Sequence, residues 1–189
     1  MVSGDNDQGR LAAIFLHGHD QVIESTPSAG ERALAGQTVV AIGATSGIGL
    51  ETARRAQAEG ADLILTARDP DRVQRVGLEL GASIAAFDAT DTSRLERFFA
   101  DLPEIDHVLV IGRVPYHDVA RVAGTRIRPG GTLIFIGDTG IPTKSLSLEL
   151  APVRVNCITA RSGDPPEDVA ATAVRLMTNQ LLVETRMSG

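Results

Sequence analysis

The chain has 189 residues, 43% hydrophobic and 3% aromatic, with 24 acidic against 18 basic side chains and a formal net charge of −6. Such a length fits one globular domain with an aliphatic core, and the acidic balance argues against a nucleic-acid partner, whose phosphates need a basic face. A single cysteine excludes an intramolecular disulfide and a cysteine metal cluster.

Residues 1–36 show no clear period and read as an N-terminal extension or linker ahead of a domain spanning 37–189. The polar start MVSGDNDQGR does not resemble a secretion signal, and no apolar run reaches the ~20 residues of a bilayer span. A cytoplasmic protein without a membrane partner is expected. Within the extension, His17 and His19 next to Asp20 would share one face of a strand. No distant third ligand accompanies them, so a polar turn is expected and no metal site.

From Gln37 onward, apolar runs alternate with amphipathic segments, the pattern of βαβ units around a parallel sheet. Strands are expected at 38–42, 62–66, 83–87, 106–111, 132–136 and 153–158, and helices at 47–59, 70–80, 91–100, 116–126 and 165–178. Gly60 reads as the stop of the first helix. Asp69 and Pro70 read as the cap and first turn of the second. Asp164 is placed to cap the last helix, whose early acids suit the positive end of its dipole. Cys157, inside VRVNCI, reads as a buried structural thiol rather than a nucleophile.

The first strand runs into GATSGIG, residues 43–49. Gly43 allows a sharp turn off the strand, Gly47 keeps Cβ atoms clear of an approaching diphosphate, and Gly49 lets the helix pack closely. Amides at the helix start, including that of Ile48, would then face an anion beside the Thr45 and Ser46 hydroxyls. The glycines could equally serve helix–strand packing with no ligand. The setting, strand before and helix after, is what gives the pattern weight.

This turn resembles the Gly-x-x-x-Gly-x-Gly turn of short-chain dehydrogenases/reductases, a likeness that extends from Gln37 to about Asn179 with pieces missing. The resemblance implies an α/β fold, a Rossmann-type doubly wound parallel sheet of about six strands, reduced in its C-terminal half. It implies a dinucleotide as partner, an unknown small-molecule substrate and a possible homo-oligomer. After the second strand, LILTARD offers Ala67 and Arg68 where NAD-binding relatives carry an acid. A guanidinium there can grip a ribose 2′-phosphate, so NADP(H) is expected over NAD(H); the alternative is a surface arginine paired with Asp69 or Asp71. Asp88 resembles the position that contacts the adenine amino group, or acts as a turn or cap residue. Gly112 alone matches the family's Asn-Asn-Ala-Gly.

The catalytic half departs from the family. Tyr116 and Lys144 are the single tyrosine and the single lysine, 144 − 116 = 28 positions apart, so no Tyr-x-x-x-Lys motif exists. The helix that should carry it is shortened to a stub of about two turns within IPTKSLSLELAP. Asp138 or Thr139 falls where a catalytic serine usually stands. Tyr116, Asp138 and Thr139 are therefore weak candidates, and Lys144 reads as a solvated residue near a helix start. Two functions remain open: an NADP(H)-binding oxidoreductase with weak or altered hydride transfer, or a catalytically inactive dinucleotide-binding or regulatory protein.

Overall fold

A computed structural model describes residues 32–137, 140–161 and 163–178. Six strands, β1 (Thr38–Ile42), β2 (Asp62–Ala67), β3 (Ser83–Ala86), β4 (Ile105–Ile111), β5 (Ile127–Gly137) and β6 (Arg154–Thr159), alternate with six helices. The helices are α1 (Gly47–Ala58), α2 (Pro70–Leu80), α3 (Thr92–Ala100), α4 (Tyr116–Gly124), α5 (Thr143–Glu149) and α6 (Pro166–Thr178). All strand pairs are parallel, in the order β3-β2-β1-β4-β5-β6. This is the expected doubly wound Rossmann sheet.

Alternation along each buried strand sends side chains into two separate cores. On one face Val39, Ala41, Leu65, Leu109 and Ile134 meet α1, α2 and α6. On the other Val40, Ile64, Val108, Leu133 and Phe135 meet α3, α4 and Leu146 of α5. The tapered C-terminal half does not leave the second face bare, since Val155 of β6 is buried in that same cluster. Residues just before β1 are fastened to the body of the domain. Leu34 is fully buried, and its amide donates to the Glu59 carbonyl beyond α1.

Local chemistry explains the helix ends. Asp69 accepts from the Arg72 amide and Asp91 from the Arg94 amide, each capping the helix that follows. Gly60 adopts φ +92° behind α1, the left-handed geometry expected of a stop. Asp164, by contrast, makes no capping bond to α6 among the described residues. Its carboxylate takes the Arg161 amide at 2.7 Å, while the first turn of α6 is closed by the Pro165 carbonyl and carries Glu167 and Asp168.

Strand β5 begins five residues earlier than the sequence pattern indicates. The segment Arg128-Pro129-Gly130-Gly131, outside the expected strand, is a bulge inside β5. Register passes from Ile105↔Ile127 to His107↔Thr132, two residues on β4 against five on β5. Proline and glycine are tolerated because the bulge leaves the ladder at that point. Cys157 is half-buried, packed against the α3–α4–α5 core, and burial pushes its thiol pKa up.

Candidate functional site

Strand order reverses between β1 and β4, and in open α/β sheets this opens a crevice at the carboxyl ends of those strands. The glycine-rich turn sits at that point. Gly43 follows β1 at φ +80° and donates its amide to the Thr66 carbonyl. A Cβ there would stand 2.5 Å from the Ile111 carbonyl oxygen of β4, so only glycine lets the two backbones approach. At Gly49 a Cβ would lie 2.9 Å from the Ala44 Cα, which fixes how closely α1 returns over its own turn.

The start of α1 is open. Ser46 is fully extended at φ −162°, makes no side-chain capping bond, and is followed by no acidic residue in the first turn. The amides of Gly47, Ile48 and Gly49 therefore keep the unsatisfied donor character of a helix N-terminus. Gly47, at φ +52°, has no atom within 4 Å of where its Cβ would be. Thr45 is half-buried and Ser46 exposed beside it. The chemistry of this cradle suits a diphosphate: backbone donors, a positive dipole end, and no side chain in the way.

The rim carries the other sequence-derived residues. Arg68 directly follows β2, is exposed, and makes no ion pair among the described residues, so pairing with Asp69 or Asp71 is not what this structure contains. Asp69 is occupied as the α2 cap. Asp88 accepts from the Thr90 amide at 2.9 Å and the Thr90 hydroxyl at 2.8 Å. These bonds, with the positive charge of Arg68 adding to them, hold its carboxyl below the usual carboxylate range. Asp88 is thus a turn residue, while the cap of α3 is Asp91. Gly112 follows β4 at φ +95°, with open space on its Cβ side.

Tyr116 and Lys144 lie on different helices. Tyr116 is the first residue of α4, half-buried against the core, its ring 4.6 Å from that of His117. Lys144 is exposed near the start of α5, on another helix. Asp138 and Thr139, like His17, His19 and Asp20, lie outside the described residues. Among the described residues no group of three His, Cys, Asp or Glu side chains could hold a metal ion, and no helix is long and apolar enough to cross a membrane.

Sequence reasoning passed over one polar cluster, at the opposite edge of the sheet. His107, in the apolar run DHVLVI, is 3% exposed and bonds Gln37 at 2.7 Å. A histidine inside a buried strand was the available signal.

The short chain dehydrogenase family model matches residues 37–110, the stretch from β1 through β4. In that stretch the chain is similar to short-chain dehydrogenases. Serine 3-dehydrogenase of Agrobacterium fabrum is 42% identical over 69 residues, 35% of this chain and 28% of that protein. An uncharacterized oxidoreductase of Mycobacterium tuberculosis is 35% identical over 85 residues, 39% of this chain and 34% of that protein. The chain thus matches about a third or less of the length of these relatives. Among solved structures, BdcA in complex with NADPH superposes with a TM-score of 0.67 at 17% identity, covering 76% of this chain and 88% of that one. A metagenomic short-chain oxidoreductase in complex with NADP superposes at 0.64 with 22% identity, covering 78% and 92%. These likenesses establish the fold. The sequence match is confined to the chain's β1–β4 region.

Proposed function

We propose that this chain binds a nicotinamide dinucleotide, NADP(H) in preference to NAD(H), in the crevice between β1 and β4. On this reading it is an oxidoreductase-type protein whose hydride transfer is weak or altered. The observation that carries the reading is the open N-terminus of α1, with an extended, uncapped Ser46 and no acid in the first turn.

Gly43, Thr45, Ser46, Gly47, Ile48 and Gly49 would hold the diphosphate. Asp88, ionised and already oriented by Thr90, would accept from the adenine amino group. Gly112 would leave room for the coenzyme beside β4. Arg68, exposed and without an ion-pair partner among the described residues, would grip the ribose 2′-phosphate. The NADPH and NADP complexes among the structural neighbours support that preference. A dinucleotide held there would supply or accept the hydride, and the chain's own part would be binding and orientation. The substrate would be a small molecule.

A second reading is a dinucleotide-binding protein without catalysis. It is favoured by the separation of Tyr116, on α4, from exposed Lys144, on α5. Positioned acid–base groups contribute typically 10²–10⁴-fold, so their loss leaves slow turnover at best.

Titration with NADPH and NADH tests the main reading. NADPH should bind about tenfold or more tightly than NADH, and Arg68→Ala should remove most of that difference. Equal affinities in the unaltered chain would overturn the 2′-phosphate assignment. A screen of carbonyl substrates followed by NADPH absorbance separates the two readings.

A further inference from the structure

At the amino edge of the sheet, opposite the dinucleotide crevice, lies a cavity of about 380 Å³ lined by Gln37, Asp106, His107, Arg128, Gly131 and Arg154, among others. Three observations bear on what it holds. The first is charge. Asp106, 5% exposed, has both oxygens engaged, one by the Thr38 amide at 2.7 Å and one by the Arg128 Nε at 3.1 Å. Arg128 spends only its Nε on that carboxylate, and its terminal nitrogens carry no hydrogen bond among the described residues. They remain available to an incoming oxyanion, the partner that a guanidinium fork fits best.

The second is an unfilled hydrogen-bond position. The Gln37 side-chain amine donates to the Ala33 carbonyl, so its oxygen accepts from His107 Nε2–H. His107 Nδ1 is then a bare acceptor, and it is buried without a partner. The Thr132 hydroxyl, on the residue paired with His107 across β4 and β5, is likewise buried and unpartnered. Orphaned polar atoms inside a folded protein call for a missing water, ion or ligand. Burial, together with the charges of Arg154 and Arg128, keeps the imidazole neutral, so it acts as an acceptor and adds no cation.

The third is space. The β5 bulge turns through Gly130 at φ +81°, and a Cβ on Gly131 would collide with the Asp106 carbonyl oxygen. Both glycines line the cavity as bare backbone.

We propose that this cavity binds a small oxyanion that carries its own hydrogen-bond donor, with the oxygens on Arg128 and the donor on His107 Nδ1. Hydrogen phosphate and a hydroxycarboxylate share this chemistry; sulfate and acetate lack the donor. The inference is independent of coenzyme binding, which uses the opposite edge of the sheet.

The test is an amide-resolved NMR titration of the full chain at pH 7.5 with sodium phosphate, then with sodium sulfate at matched ionic strength. Phosphate should shift Gly130, Gly131 and His107 with a dissociation constant on the order of 1 mM, about tenfold weaker in Arg128→Gln. Sulfate should shift them at least about fivefold less at the same concentration. Lactate against acetate then separates a hydroxycarboxylate from phosphate, the tighter of lactate and phosphate marking the source. Shifts at Gly43–Gly49 report the other site and are read separately. Silent amides at 130 and 131 with both phosphate and lactate would overturn the proposal, as would an equal response to sulfate or an unweakened response in Arg128→Gln.

Discussion

Acid should destabilise this protein through one buried imidazole. His107 is 3% exposed, its Nε2 proton is committed to Gln37, and its Nδ1 has no partner. Burial first, then the charges of Arg154 and Arg128, lowers its pKa from 6.5 to about 4. Above pH 6.5 the ring is neutral in folded and unfolded chains alike, so this group leaves stability untouched. As pH falls below 6.5 the unfolded chain takes a proton that the folded chain refuses, and stability drops until the folded pKa is passed. With each unit worth about 1.4 kcal/mol, the loss attributable to His107 approaches ~2 kcal/mol at pH 5 and ~3 kcal/mol below pH 4. Urea unfolding at pH 7.5 and pH 5 measures it, for the unaltered chain and for His107→Gln. The unaltered chain should lose about 2 kcal/mol more across that interval than the variant, whatever the variant's own stability at pH 7.5. Identical pH slopes would refute the reasoning, as would a histidine titration by NMR placing His107 above pH 6.

Other substitutions probe the crevice and its supports. Gly43→Ala forces a left-handed Cβ to within 2.5 Å of the Ile111 carbonyl oxygen, so β1 and β4 must part; a loss of at least about 2 kcal/mol in chemical denaturation is expected. Gly47→Ala has the same sign of φ but open space around it, so stability should fall by only about 1 kcal/mol while NADPH affinity falls more steeply than for a neutral surface change. Asp69→Ala removes the 3.0 Å bond to the Arg72 amide and should cost about 1 kcal/mol by thermal or urea unfolding, without changing nucleotide preference.

Much of this architecture is written in local pattern. Strands such as TVVAI and DLILT are apolar on both faces because helices cover both sides of a parallel sheet, and that signature is hard to mistake. Helix starts were legible where a short acid stood one residue ahead of a turn, as at Asp69. Asp164 misled because an acid can close a preceding turn as readily as cap a helix, and nothing in DPPED distinguishes the two. The early start of β5 was hidden for a similar reason, in the RPGG segment. Proline and glycines mark a departure from the ladder, and a bulge within β5 is as much a departure as a turn. At the crevice, Gly43 was readable because its φ and the nearness of β4 leave no other choice. The His107–Gln37 bond joins residues 70 apart in sequence, and no local rule predicts such a pairing.

The division between what the chain keeps and what it lacks follows from where each function sits in the fold. The proposed diphosphate cradle is built by β1, α1 and the near approach of β4, in and beside residues 37–110, the segment that matches the short-chain dehydrogenase family model. Proton transfer in that family resembles a task for a tyrosine and a lysine one turn apart on a long helix. Here α5 has seven residues, spanning about 10 Å, and it buries Leu146 to seal the sheet. Its Lys144 is exposed, whereas Tyr116 packs against the core from α4. A helix this short serves as a lid on β6, not as a platform for two aligned groups. Lys144→Ala should therefore change NADPH affinity, and the kcat/KM of any slow carbonyl reduction, by no more than about twofold, a difference of ~0.4 kcal/mol. Steady-state assays over a panel of aldehydes and ketones measure this. A tenfold fall in kcat/KM with unchanged folding would mean that the lysine reaches the reacting centre after all, and that a stub of two turns can still host the chemistry.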